Sequence, residues 1–348
     1  MTLDTQTLAE QVQHNCHISD ARHGSDVGLC TYLMRMREYY RWEHALPYTA
    51  TLDKDRVGDW LSEREELWDS VQQQDYRPIE LAGECFDPFD ANAINRHLHT
   101  QGLVYSAGLV HSGRPQFFLA ELGAHEADAA GFELWIGQRE LARGLHAPPA
   151  MTLGRSIFLR RESLRQLLWE KYESWLWTRP DNAMARALAC YPFELDVDLA
   201  LDRMVADEMR VIRAHEVGEY QVGRELGEAW EELLLGVLGT PAELMLRALR
   251  DHLADCLQTL PMLLEGDADE PSLHTFMGNL GNMRKEIFPA LQPAYQEWLE
   301  GDRSGLAALV ERGAGHWLDV ARQALALQRP GEDRLAAKVI MLVEANKL

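Results

Sequence analysis

Basic residues are scarce in this chain. Its 34 lysines and arginines face 55 aspartates and glutamates, a formal net charge of −21 over 348 residues. Such acidity repels phosphate backbones and anionic headgroups, which excludes nucleic acid and an anionic membrane as main partners. An unspecified small molecule or protein is left as the expected partner. Cysteine is scarce too. The five residues Cys16, Cys30, Cys85, Cys190 and Cys256 are odd in number and scattered, with no CxxC. That argues against a secreted disulfide framework and for a reducing compartment. No apolar run approaches the ~18 residues that a membrane span needs. The opening MTLDTQTLAEQVQHNCHISD lacks the basic and apolar regions of a signal peptide. No P-loop, GxGxxG, GxSxG, HExxH or EF-hand pattern occurs, so no standard catalytic signature assigns an enzyme class.

What is present is ordinary globular composition, 46% hydrophobic and 26% charged. A chain of this length can bury a full core and suggests about two domains. Helical patterning runs from Asp26 to about His44, from Lys54 to Gln74 and from Phe89 to His99. Residues 1–23 read as a short amphipathic opening and a polar run. Between residues 103 and 160 the period changes. LVYSAGLV and QFFLAEL flank the turn-rich HSGRP and read as a hairpin; GFELWIG and SIFLRR can add strands, with GLHAPPAMTLG as loop. Arg161–Trp177 returns to a helix, carrying Trp169, Tyr172, Trp175 and Trp177 as core aromatics. Beyond Arg179-Pro180-Asp181 the pattern is all-helical: near 194–235, 241–265, 272–299, 303–328 and 331–346, with Asp302 as a possible N-cap. Residues 191–348 hold 15 basic and 28 acidic residues, −13 of the −21. The expectation is a mainly α (α+β) protein. A helical domain with a small antiparallel β element spans 1–180, and an all-helical bundle domain spans 181–348.

The strongest chemical constellation lies in the helix around residues 201–235. At about 100° per residue, His215 and Glu219 fall within roughly 20° of Glu208, on a stripe shared with Leu201, Met204, Ile212 and Val222. Ionisable groups on an apolar face must be paired, protonated or coordinated. Two carboxylates flanking an imidazole suit a divalent metal, with iron, manganese and zinc all compatible; a buried hydrogen-bonded network is the other reading. Glu216, at the edge of the stripe, could support it. A further ligand must come from another helix, and His316, beside Leu309 and Val320, is the preferred one. His252 only borders its apolar face, Asp251 and Asp255 point away from theirs, and His274 is poorly placed.

A second constellation is HNCHISDARHGSDVGLC, with soft-metal residue types but no zinc spacing. Downstream, Cys30, Met34, Arg37 and Arg41 share one helix face. Arginines beside a cysteine favour its thiolate or hold an anion. Cys16, Cys30, Arg37 and Arg41 are therefore candidate cofactor-binding residues. A structural network and a metal site are the competing readings. Cys16 and Cys30 are expected to be reduced and close to each other or to Arg37. A third cluster, Arg139, Arg143, Arg155, Arg160 and Arg161, is either an anion site near APPA or a solvated face.

The run HNCHISDARHGSDVGLCTYLMRMREYYRWE resembles the opening of a family of uncharacterised bacterial proteins, in which counterparts of APPA…RRESLRQLLWEK and HEVGE are also expected. The resemblance would cover most of the chain. It implies bacterial origin and a cytoplasmic location, and it carries no activity and no assigned residues.

Two functional readings follow from the residues. One is a metal-binding helical-bundle protein, a non-haem metal-dependent enzyme included, in which the metal activates water or dioxygen. The other is a non-enzymatic adaptor or regulator whose buried polar stripe is structural. A cysteine-dependent enzyme built on Cys16 or Cys30 is a third.

Overall fold

The polar opening folds as a helix. The Asp4 side chain accepts from the backbone N–H groups of Gln6 and Thr7 and caps α1, Thr5–His23. Its polar residues are buried because they bond backbone rather than water. Asn15 donates to the Arg77 carbonyl (2.8 Å) and accepts from the Arg77 N–H (2.7 Å). These bonds explain why a hydropathy pattern misses the helix. The computed structural model describes residues 4–110, 113–266, 269–328 and 334–348. It divides into two compact units, Met1–Glu170 and Lys171–Leu348.

In the first unit α1 is followed by α2 (Leu29–Glu43) and α3 (Lys54–Val71), then by the two-stranded ladder β1 (Ile79–Leu81) and β2 (Glu84–Phe86), and by α4 (Ala91–Leu98). A five-stranded sheet comes next: β3 (Leu103–Val110), β4 (Arg114–Ala127), β5 (Glu133–Arg143), β6 (Ala150–Leu153) and β7 (Ser156–Arg160), in the spatial order β3-β4-β5-β7-β6. The hairpin expected at 103–122 is β3 and β4, with Tyr105 opposite Leu119. The turn residues His111 and Ser112 lie outside the described residues. The β element is larger than a hairpin, and β5 pairs with β7 in parallel. The stretch read as loop contributes β6. Its two prolines, Pro148 and Pro149, precede the strand, and the chain folds back from Ala150 onward as an antiparallel neighbour of β7. α1 lies over β4 and β5, and Leu8, Val12 and Cys16 join the core of Tyr105, Phe117 and Leu119. The helix α5 (Arg161–Thr178) starts at the end of β7.

The second unit is helical: α6 (Ala183–Ala189), α7 (Val197–Leu226), α8 (Glu228–Gly236), α9 (Pro241–Ala254), a π-helical turn Asp255–Thr259, α10 (Leu260–Leu264), α11 (Glu270–Asn279), α12 (Asn282–Ile287), α13 (Leu291–Leu299), α14 (Arg303–Leu325) and α15 (Leu335–Ala345). The single helix expected at 194–235 breaks at Gly227, whose φ of 67° and ψ of −168° suit glycine alone. The one expected at 272–299 is three pieces. Asp302 does cap α14, accepting from Ser304 N–H. Trp230, Trp317, Phe288 and Tyr295 anchor the core. Among the described residues no helix is long and apolar enough to cross a membrane.

Candidate metal centre

α7 carries His215 and Glu219 one turn apart, and α9 with its π-helical continuation packs against this stretch. The approach is close because Gly218 faces the Ala254 carbonyl: a Cβ there would stand 2.6 Å from that oxygen. The two helices thus bring two i,i+4 pairs together, His215/Glu219 and Asp251/Asp255. His215 Nδ1 donates to Asp255 Oδ1 at 2.8 Å, while Nε2 lies 3.7 Å from Glu219 Oε1. Glu219 and Asp251 are hydrogen-bonded to each other. One ligand atom each from His215, Glu219 and Asp251 fall within 4.8 Å of one another. Two arginines complete the cluster: Arg250 Nη2 bonds Glu219 at 2.9 Å, and Arg284 pairs with Asp255.

The electrostatics follow from these neighbours. Burial works against an imidazolium at His215, but the Asp255 carboxylate, reinforced by Glu219, outweighs it and holds the group up at about 10. Burial would raise Asp255, yet Arg284 and His215 push it well below the usual carboxylate range. Burial likewise opposes ionisation at Glu219, where Arg250 and then His215 prevail and lower it. At Asp251 burial prevails and raises the pKa, because Arg284 counters it only in part. The His215 side chain is 27% exposed and that of Asp255 1%, so solvent reaches the imidazole and not its carboxylate partner.

Of the expected stripe, His215 and Glu219 converge and Glu208 does not. Glu208 shares their helix face but sits seven residues earlier, about 10 Å along the axis. There it hydrogen-bonds with Ser272 and Thr275, and burial pushes it up to about 8. His316 does not join the cluster either; its Nε2 donates to the Asn346 carbonyl at 2.7 Å. His252 is buried against Trp317 and donates to the Arg284 carbonyl. His274 bonds Tyr295.

Asp251 and Asp255, expected to point away, are members of the cluster. The polar side of α9 is a helix–helix contact with α7 and not the solvent face. The available signal was the matching four-residue spacing of the two pairs.

The N-terminal candidates separate. All five cysteines are free. Cys16 is buried, its S–H donates to the Phe117 carbonyl at 3.3 Å, and burial raises its thiol well above the ordinary value. Cys30 is exposed at the start of α2. Arg37 Nε bonds Glu38 at 2.7 Å, and Arg41 donates to the Pro47 and Ala50 carbonyls. Arg41 thus ties α2 to the loop that follows it, while Arg37 pairs with its neighbour Glu38, and none of these partners is a cysteine. In the third cluster, Arg143 and Arg160 are buried on Glu140, Arg139 pairs with Glu121 on the surface, and Arg155 donates to the Gly131 carbonyl.

A two-unit protein, one half a helix-covered mixed sheet and the other a helical bundle with a His/Glu/Asp/Arg cluster, is the class that fold and site define. The chain belongs to the family of unknown function DUF6866. Residues 7–160 match its N-terminal domain and residues 165–346 its C-terminal domain. No curated protein and no solved structure matches the chain.

Proposed function

We propose that the helical unit binds one divalent transition metal through His215 Nε2, Glu219 and Asp251. The observation that carries this reading is the 4.8 Å grouping of those three donors with the His215 Nδ1 edge already committed to Asp255. A carboxylate on the far nitrogen fixes the tautomer and the ring plane, leaving Nε2 to ligate. The hydrogen bond between Glu219 and Asp251 needs a shared proton, and a cation can replace that proton. Imidazole with two carboxylates suits iron, manganese or zinc. Three protein ligands leave positions for water or substrate, so a bound metal would supply Lewis-acid activation of water or, if redox-active, of dioxygen. The residues' own tasks are separate: Asp255 orients the imidazole, and Arg250 and Arg284 balance charge.

A specific observation favours a second reading. His215 and Arg284 pair with Asp255 and Arg250 pairs with Glu219 without any metal, which describes a structural ion network. Calorimetric titration of the chelator-treated protein with Zn²⁺, Mn²⁺ and Fe²⁺ separates the two. Metal binding must displace the His215 proton, so it should release protons to buffer and tighten as pH rises from 6 to 8. His215→Ala should abolish uptake and any metal-induced rise in melting temperature. A wild-type protein that takes up none of these metals leaves the ion network as the function of the cluster.

A further inference from the structure

The first unit contains a small cavity of ≈40 Å³ under the C-terminal end of α1, lined among others by Asp20, His23, Arg35, Arg114 and Gln116. A water needs roughly 10–15 Å³ on the same measure, so the cavity has room for one compact polyatomic group and not for a large organic molecule.

Its chemistry is divided. Arg35 is half-buried, feels Glu170 and Arg114 electrostatically, and forms no ion pair with a described residue. Arg114 reaches Asp26 at 3.2 Å, and His23 shares that carboxylate at 3.4 Å. A half-buried guanidinium without a direct carboxylate contact, beside a second one whose Asp26 partner is exposed, favours an anion between the two.

The cavity also contains acceptors, which a site for a bare anion would avoid. The Asp20 carboxylate is buried and takes the Leu145 N–H on both oxygens, at 3.0 and 2.9 Å. Burial raises it to about 7 against the opposing pull of that bond. Gln116 donates to the His146 carbonyl, and its buried Oε1 has no partner among the described residues. The room in front of Asp20 is kept by Gly144, where a Cβ would stand 3.1 Å from Asp20 Oδ1.

Donors for charged oxygens together with acceptors for a hydroxyl describe one ligand chemistry. We propose that this cavity binds a protonated phosphate group, as inorganic hydrogen phosphate or as a small phosphate monoester, with Arg35 and Arg114 holding its oxygens and the single P–OH proton accepted by Gln116 Oε1 or by the Asp20 carboxylate beside it. A carboxylate anion or sulfate carries the charge but no proton near neutral pH. It would leave both acceptors facing an anion, so the site discriminates against it. The arginine of α2 that serves an anion is thus Arg35, and not the Arg37 and Arg41 of the Cys30 face.

The test uses the full-length protein, freed of metal, titrated calorimetrically at pH 7.5, above the Asp20 value of about 7, with inorganic phosphate, glycerol phosphate and sulfate. At least one phosphate species should bind saturably, with sulfate about tenfold weaker or worse. Tighter binding of inorganic phosphate assigns the free ion, and tighter binding of glycerol phosphate assigns a monoester. Arg35→Gln should weaken phosphate by about tenfold or more with an unchanged circular dichroism spectrum. Asp20→Asn should narrow the phosphate-to-sulfate ratio. The proposal is overturned if neither phosphate species binds saturably at millimolar concentration, if sulfate equals phosphate, or if a folded Arg35→Gln binds like the wild type. Should Arg35→Gln not fold, the wild-type comparison of phosphate with sulfate decides alone.

Discussion

In the first unit Glu140 is buried between Arg143 and Arg160; in the second His215 is held among Asp255, Glu219 and Asp251. Both clusters are ionic and both are packed, but their closure differs. Glu140 accepts from Arg160 Nε (2.9 Å), Ser163 Oγ (2.5 Å) and Arg143 Nη1 (3.3 Å). Its carboxylate is surrounded by donors, and all three ionic side chains are at most 5% exposed. Around His215 two carboxyls face one another and the imidazole keeps an edge toward solvent. At Glu140 the carboxylate is satisfied by its donors, although Arg143 Nε and Arg160 Nη2 have no hydrogen-bond partner among the described residues, and its role is structural. A cluster that leaves like groups in contact invites a proton or a cation.

Removing charge from the closed cluster should have the largest effect. Glu140→Ala strands two buried guanidiniums and should destabilise the protein by about 3–5 kcal/mol in urea unfolding, with no dependence on added metal. Burial opposes ionisation at Glu140, but the two arginines prevail and lower its pKa. Its stabilisation is therefore present above the unfolded value of 4.5 and lost as pH falls through the folded one. A variant that unfolds like the wild type would erase the contrast between the two clusters.

The second effect is of opposite sign. Burial pushes Glu208 up to about 8 from an ordinary 4.5. The folded chain binds more protons between those values, so stability is greatest below pH 4.5 and is lost as pH rises toward 8. Glu208→Gln imitates the neutral acid. It should be more stable than the wild type at pH 8 by about 1–3 kcal/mol and flatter with pH. Destabilisation by this change at pH 8 would mean that Glu208 is an ionised member of a network.

His215 sharpens the comparison further. Its pKa is raised, so its contribution is complete below the unfolded 6.5 and fades as pH climbs through about 10. In metal-free protein His215→Ala should cost about 1–3 kcal/mol at pH 7 and less at pH 10, read by thermal unfolding. Equal losses at both values would show that the imidazole is not the charged centre.

The smallest expected effect is chemical. Cys30, Cys85 and Cys190 are exposed, whereas Cys16 and Cys256 are buried with thiols raised by that burial. Native thiol titration should count three fast groups and two that react only on unfolding. Five fast thiols would mean that both buried cores open readily.

The pattern of apolar spacing was enough to read the helical class, the hairpin of β3 and β4, the place where α5 begins and the His215/Glu219 pair, because periodicity of 3.6 or 2 is a local property. Other features are not local. α1 hides its helical nature behind Asn15, Ser19 and Asp20, which are buried by bonding backbone far along the chain. The parallel pairing of β5 with β7 depends on the intervening β6 folding back. Asp251 and Asp255 read as solvent-facing until α9 is laid against α7. Glu208 reads as a ligand until distance along the helix is counted. Residue types and their spacing within one element are determined by sequence alone; which side of a helix is covered, and by what, is decided only when a second element packs on it.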